Sequence, residues 1–128
     1  MYFIDAKPST VKALTVGTGG ITKGDLVILS STTIVRASAA AADATVVGLA
    51  TADAVDTATA SIEMCFDRVI RAEYTGTASN LAVGKIYDLS DAHTVNIDDV
   101  TDGIFLCVGY DSARGTVDGI ITVAHRLV

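Results

Sequence analysis

The chain writes one pattern twice, and that repetition limits its possible folds more than any other feature. Gly24-Asp25-Leu26-Val27-Ile28-Leu29-Ser30 leads through Thr33-Ile34-Val35 to Val46-Val47-Gly48-Leu49-Ala50 and Asp53-Ala54. Further on, Gly84-Lys85-Ile86-Tyr87-Asp88-Leu89-Ser90 leads through Thr94-Val95 to Cys107-Val108-Gly109-Tyr110 and Ser112-Ala113. Each copy reads as a glycine turn, an apolar strand, a polar turn, a second short strand and a Val-Gly strand. A chain of two such units is a β scaffold first, so its function is expected on its surface, its arm or its partners.

The segments around the repeat extend this reading. Residues 1–8 form a short arm that ends at the only proline, and 9–128 form a single β domain. The arm carries Tyr2-Phe3-Ile4, an apolar cluster that suits an edge strand, a frayed end or a partner-binding arm. Ser9 to Val16 alternates as a strand does, and Gly17-Thr18-Gly19-Gly20 breaks it. Ala37 to Ala44 is too short for a helix to stand alone and reads as a small-residue loop, like Thr51 to Ala60. From Ile62 to Tyr74 apolar residues hold one parity, with Arg68 the single exception. A turn at Asp67-Arg68 would make this stretch a hairpin. Ile104 to Tyr110 is apolar on both faces, as a central strand is, and Ile120 to Val123 marks the last strand. The sum is about nine or ten short strands, an all-β barrel or sandwich built from two similar units with an extended N-terminal arm.

Composition agrees and removes several classes of function. Half of the 128 residues are hydrophobic, yet aromatics make up 5% and Trp is absent, so small and β-branched side chains fill the core. Such side chains suit pleated sheets better than ring-lined pockets. Nine basic against 15 acidic residues give a net charge of −6, which disfavours nucleic acid. No apolar run approaches the ~20 residues that cross a bilayer, and the start lacks the basic and apolar regions of a signal peptide, so no membrane partner is expected. Cys65 and Cys107 sit in apolar runs and read as buried thiols, with synthesis in a reducing cytoplasm.

No reactive constellation emerges from the spacing. Gly17 to Asp25 fails as a phosphate loop, because Asp25 rather than Lys follows Gly24, and it lacks the third glycine of a dinucleotide fingerprint. His93, His125, Cys65 and Cys107 lie at no short paired spacing of the kind that prebuilds a zinc site. Nothing places either histidine with a serine and an aspartate as a triad. Asp98, Asp99 and Asp102 lack the alternating ligand spacing of a calcium loop and read as a solvated acidic turn. The chain is therefore expected to have no catalytic residues, no metal and no cofactor. Tyr87 and Tyr110 fall within strand patterns and are assigned to core or interface.

The order of elements resembles the small decoration, or cement, proteins that stabilise the capsids of tailed bacteriophages. The residues that carry the resemblance are Ile21-Thr22-Lys23-Gly24-Asp25-Leu26-Val27, Val47-Gly48-Leu49-Ala50, the Ile62 to Tyr74 stretch ending at Gly76, and Val108-Gly109. It covers most of the chain from about residue 10 onward. The resemblance implies a homotrimer on the exterior of the virion capsid, with the major capsid protein as partner and Tyr2, Phe3 and Ile4 as the capsid-binding arm. It also implies that loss of residues 1–8 weakens shell binding and leaves the fold intact. The alternative from the residues alone is a β-barrel binding module for carbohydrate or peptide in a larger phage or cell-surface assembly.

Overall fold

Each copy of the repeated pattern folds into three strands within a five-stranded unit, and the two units share one topology. A computed structural model describes residues 1–5, 11–39, 45–65 and 68–121. The arm contributes β1 (Tyr2–Phe3). The first unit contains β2 (Val11–Thr15), β3 (Leu26–Ser30), β4 (Thr33–Arg36), β5 (Val46–Ala50) and β6 (Thr59–Met64). The second contains β7 (Ile70–Thr75), β8 (Ile86–Asp91), β9 (Thr94–Asn96), β10 (Phe105–Asp111) and β11 (Thr116–Ile121). The expected all-β architecture of two similar units is present. Ala40 to Ala44, Phe66, Asp67 and the end of the expected last strand lie outside the described residues.

The strand order is β2-β6-β5-β3-β4 in the first unit and β7-β11-β10-β8-β9 in the second, so each position in one has a counterpart in the other. In the second unit β9 runs parallel to β7 and closes a five-stranded barrel, pairing Glu73 with Thr94, Tyr74 with Val95 and Thr75 with Asn96. The matching seam of the first unit is a single parallel bridge between Val16 and Ile34, where the Gly17 N–H donates to the Ile34 carbonyl at 2.8 Å. The turns entering β3 and β8 are tied identically. Gly24 N–H donates to the Ala50 carbonyl, and Gly84 N–H to the Cys107 carbonyl. Both glycines have positive φ, +86° and +92°, which β-branched or bulky residues rarely adopt and glycine adopts freely.

The Val-Gly part of the sequence pattern is not part of this equivalence. Gly48 pairs with Val27 and Met64, and the residue in the same register of the second unit is Phe105, paired with Tyr87 and Ile121. Val108 falls where the register shifts between Cys107 and Gly109. The reason lies in how each barrel fills one spot. Ile62 of β6 packs over Gly48, where an added Cβ would meet its Cγ2 at 3.0 Å. In the second barrel the sizes are exchanged: Gly119 stands in the register of Ile62, and the Phe105 ring occupies the space. Large and small side chains swap strands while the pair still fills the same volume.

The stretch from Ile62 to Tyr74 is not a hairpin. β6 and β7 belong to different sheets, so this segment connects the two units. Likewise β10 is not buried on both faces: Phe105 and Cys107 face inward, whereas Val108 and Tyr110 are exposed.

Two clusters of buried side chains explain the long apolar runs. Val16, Ile21, Val27, Ile34, Ala50, Ala60 and Ile62 fill the first unit. Leu26, Val46 and Leu49, on the other side of β3 and β5, join Ile70, Tyr87, Leu89, Val95, Phe105, Val117 and Ile121 in the second cluster. The first unit therefore buries both faces of β3 and β5, which is why Leu26-Val27 and Leu49-Ala50 do not alternate.

Tyr87 is fully buried, and its hydroxyl ties down the approach to β8. It donates to the Asn80 carbonyl at 2.6 Å and accepts the Ala82 N–H at 2.9 Å, beside the 3-10 turn at Ala78–Asn80. Burial raises the phenol above its ordinary value near 10. A raised folded-state value means that the native protein holds this proton more tightly than the unfolded chain does. The associated stability is complete below about pH 10 and is lost as pH rises through the folded value. Tyr87→Phe is expected to lower stability by about 1–3 kcal/mol, since two buried backbone groups lose their partner. Denaturant melts at pH 7 and pH 10.5 check both points: the variant should be weaker at pH 7 and show a shallower alkaline loss than the parent.

Candidate functional site

The arm is docked on the second barrel as an added strand. β1 lies antiparallel to β7, with Tyr2 opposite Arg71 and Phe3 opposite Ile70. It occupies the edge of β7 that β9 leaves uncovered. The Ile4 N–H donates to the Val69 carbonyl at 3.0 Å, and the Val69 N–H donates to Asp5 Oδ2 at 2.9 Å. Arg68, only 6% exposed, donates from Nε to Asp5 Oδ1 at 2.6 Å and lays its guanidinium 4.1 Å above the Phe3 ring. A buried cation thus meets both a carboxylate and a ring face, the two partners that most offset its desolvation.

A second arginine secures the outer side. Arg71 makes a two-point contact with Asp118 of β11, at 2.8 and 2.9 Å. Hydrogen bonding to Asp118 first, and to Tyr2 next, holds its guanidinium above the ordinary arginine value. Of the three arm residues read from sequence, Phe3 is half-buried against the core, whereas Tyr2 (56%) and Ile4 (40%) face solvent. Sequence reading took Arg68 for the sign of a turn and did not find its partner. The signal was there, a cation on an apolar parity, but its carboxylate lies 63 residues earlier in the chain.

At the junction between the units, Asp25 is 2% exposed. It accepts the Thr22 N–H at 2.9 Å, and Arg36 Nε lies 3.5 Å away. His93, from the β8–β9 turn, places Nδ1 3.3 Å from its other oxygen and 3.7 Å from Asp91. Beside it the Leu26 N–H donates to the Ala92 carbonyl at 2.6 Å. These contacts join the barrels. The adjoining groove is lined by Met1, Tyr2, Thr22, Lys23, Glu73 and Thr116 beside His93 and Asp25. His125 lies outside the described residues.

The remaining candidates are placed as follows. Asp98 accepts from the Thr77 N–H at 2.8 Å and from the Asn80 amide at 2.7 Å, which hold its carboxyl below the usual carboxylate range. Asp99 accepts the Thr101 N–H at 2.8 Å, so both acids brace turns. Cys65 and Cys107 are buried thiols, and burial pushes the Cys107 thiol up. Among the described residues, no group of three or more His, Cys, Asp or Glu side chains is arranged to hold a metal ion. Every buried side-chain nitrogen or oxygen among them has a hydrogen-bond partner. A groove of about 710 Å³ runs along the Gly19-Gly20 turn between Arg36 and Val55.

Surface chemistry differs between the units. Of the exposed large apolar side chains, Leu29 and Val55 belong to the first unit, and Tyr2, Ile4, Val83, Val100, Val108 and Tyr110 belong to the second barrel or its arm. Comparison with protein-family models and with curated proteins finds no match to this chain.

Proposed function

We propose that this chain is a structural protein that binds the exterior of an expanded phage capsid as a homotrimer and stabilises it. One observation carries the reading: the exposed large apolar side chains are concentrated on the second barrel and its arm, on a body whose described buried polar groups are internally satisfied. Large apolar side chains left exposed on one unit are groups that a protein contact would cover. The resemblance of the repeated strand pattern to capsid decoration proteins supplies the kind of contact.

The mechanism is mass action. A body that binds only the expanded shell shifts the shell equilibrium toward that form by an amount set by its affinity and concentration. The acidic chain, with a net charge of −6, repels packaged nucleic acid and stays on the outer surface. Mixing the purified protein with expanded and unexpanded shells and sedimenting the shells tests this. Co-sedimentation with expanded shells is expected, together with a light-scattering mass near three chains. Recovery of all the protein in the supernatant of both shell forms would sink the reading.

A further inference from the structure

The two units share a topology, but among the described residues only one has its first strand's edge filled. In the second barrel, β9 covers the C-terminal half of β7, and β1 covers Ile70 and Arg71. In the first unit the bridge from Val16 to Ile34 matches the pairing of Tyr74 with Val95. Pairing across β2–β6 and β7–β11 then sets Ala13 in the register of Arg71, Lys12 in that of Ile70, and Val11 in that of Val69. Among the described residues no strand lies on β2 where the arm lies on β7.

The backbone of that edge points outward. Val16 directs its N–H to Ala58 and its carbonyl to Thr57, on the β6 side, and Gly17 directs its N–H to β4. Alternation along an extended strand turns the N–H and carbonyl groups of Val11 and Ala13 away from β6. Val69, the counterpart of Val11, uses both groups on the arm, giving its carbonyl to Ile4 and its N–H to Asp5. Edges of this kind are normally blocked by charge, proline or a covering element. Here the charge on β2 is the exposed Lys12, next to the exposed Ala13 and with no acid on the strand, so the edge disfavours a basic strand and suits one that brings an acid.

We infer that the Val11–Ala13 edge of β2 is an acceptor for an extended strand of a partner protein, one that runs antiparallel to β2 and carries apolar residues followed by an acid. The arm supplies the template, because Phe3-Ile4-Asp5 is the segment that fills the equivalent edge. An acid in the place of Asp5 would meet the Val11 N–H with the Lys12 ammonium one residue away, a match of opposite charge that Arg68 provides in the second barrel. The strand is assigned to the shell, and that assignment rests on the proposed function; the acceptor edge itself does not.

The test uses the intact chain and the peptide acetyl-Tyr-Phe-Ile-Asp-Ala-amide. Titration followed by amide hydrogen exchange should slow Ala13 by about tenfold and leave Val69 and Arg71, already covered in cis, unchanged. Lys12→Glu should weaken the peptide about fivefold. Ala13→Pro, which removes an outward N–H and spares the bonds to β6, should abolish binding while β6 stays protected. If Ala13→Pro does not fold, the Lys12→Glu titration carries the test. Unchanged exchange at Ala13 with millimolar peptide overturns the inference, as does protection that appears at Val69 and Arg71 instead. A mass that rises with concentration and falls back in Lys12→Glu would show a second copy on the edge, overturning the partner assignment. Shell binding that persists in a variant unable to bind peptide separates the two ideas, removing the edge and keeping the capsid reading.

Discussion

Gly119→Ala is expected to be among the most damaging single substitutions in the chain, lowering stability by about 3 kcal/mol or more, at or beyond the upper end of overpacking. An added Cβ would sit 2.5 Å from the Leu106 carbonyl and 2.7 Å from Phe105 Cδ1, with the ring's Cε1 closer still. Neither neighbour can give way. Phe105 is fully buried at the start of β10, and the Leu106 carbonyl belongs to the ladder between β10 and β11. Phe105→Leu in the same chain should recover part of the loss by freeing ring volume, and the remainder reports the backbone clash. Denaturant melts of the two single variants and the double variant measure the coupling. Additive effects would contradict the exchange of large and small residues between strands, since residues in contact should couple. Gly48→Ala probes the other barrel, where the Glu63 carbonyl lies well inside contact distance of an added Cβ and no ring can move. It should be equally damaging and should not be rescued by trimming Ile62.

Asp5→Ala is expected to cost about 2–4 kcal/mol, because it removes one partner of a buried ion pair and leaves the cation desolvated. The affected groups are Arg68 Nε and the Val69 N–H, both held by the same carboxylate. Arg68 keeps a longer approach to Glu63 at 4.0 Å and the ring of Phe3, which place the value inside the range rather than above it. Pairing the change with Arg68→Met should recover much of the loss, since an apolar side chain of similar length does not need the carboxylate. This alters what loss of the arm should do. Removing residues 1–8 strips Arg68 of Asp5 and uncovers part of the core beneath Phe3, so the expected result is a less stable barrel as well as weaker shell binding. A truncated chain that melts with the parent's midpoint would show that the docking of β1 contributes nothing.

The alternating and repeated patterns between residues 24 and 110 carried the all-β class and the division into two units, because period-2 burial and glycine turns are local properties of the chain. The candidate arm was legible for the same reason, as an apolar cluster at an end where polarity is usual. Register was not. Val47-Gly48 and Val108-Gly109 match as letters and differ in place, because a strand's partner is chosen by volumes on neighbouring strands, and Phe105 against Gly119 fills what Ile62 against Gly48 fills. Arg68 looked like a turn while its partner, Asp5, was far away in sequence. Spacing alone placed His93 beside no aspartate, because its contact with Asp25 forms only where the β8–β9 turn meets the first unit.

Sequence by itself determined the strand content, the duplication and the ring-poor core, since each follows from the order of apolar, polar and glycine residues along one stretch of chain. Tertiary structure alone decided which of two like edges the arm fills. The second barrel received the arm because Arg68 and Ile70 offer it a charge and an apolar floor, whereas the first presents Lys12 and Ala13 to solvent. That difference depends on pairs of residues brought together by folding, and no local pattern records it.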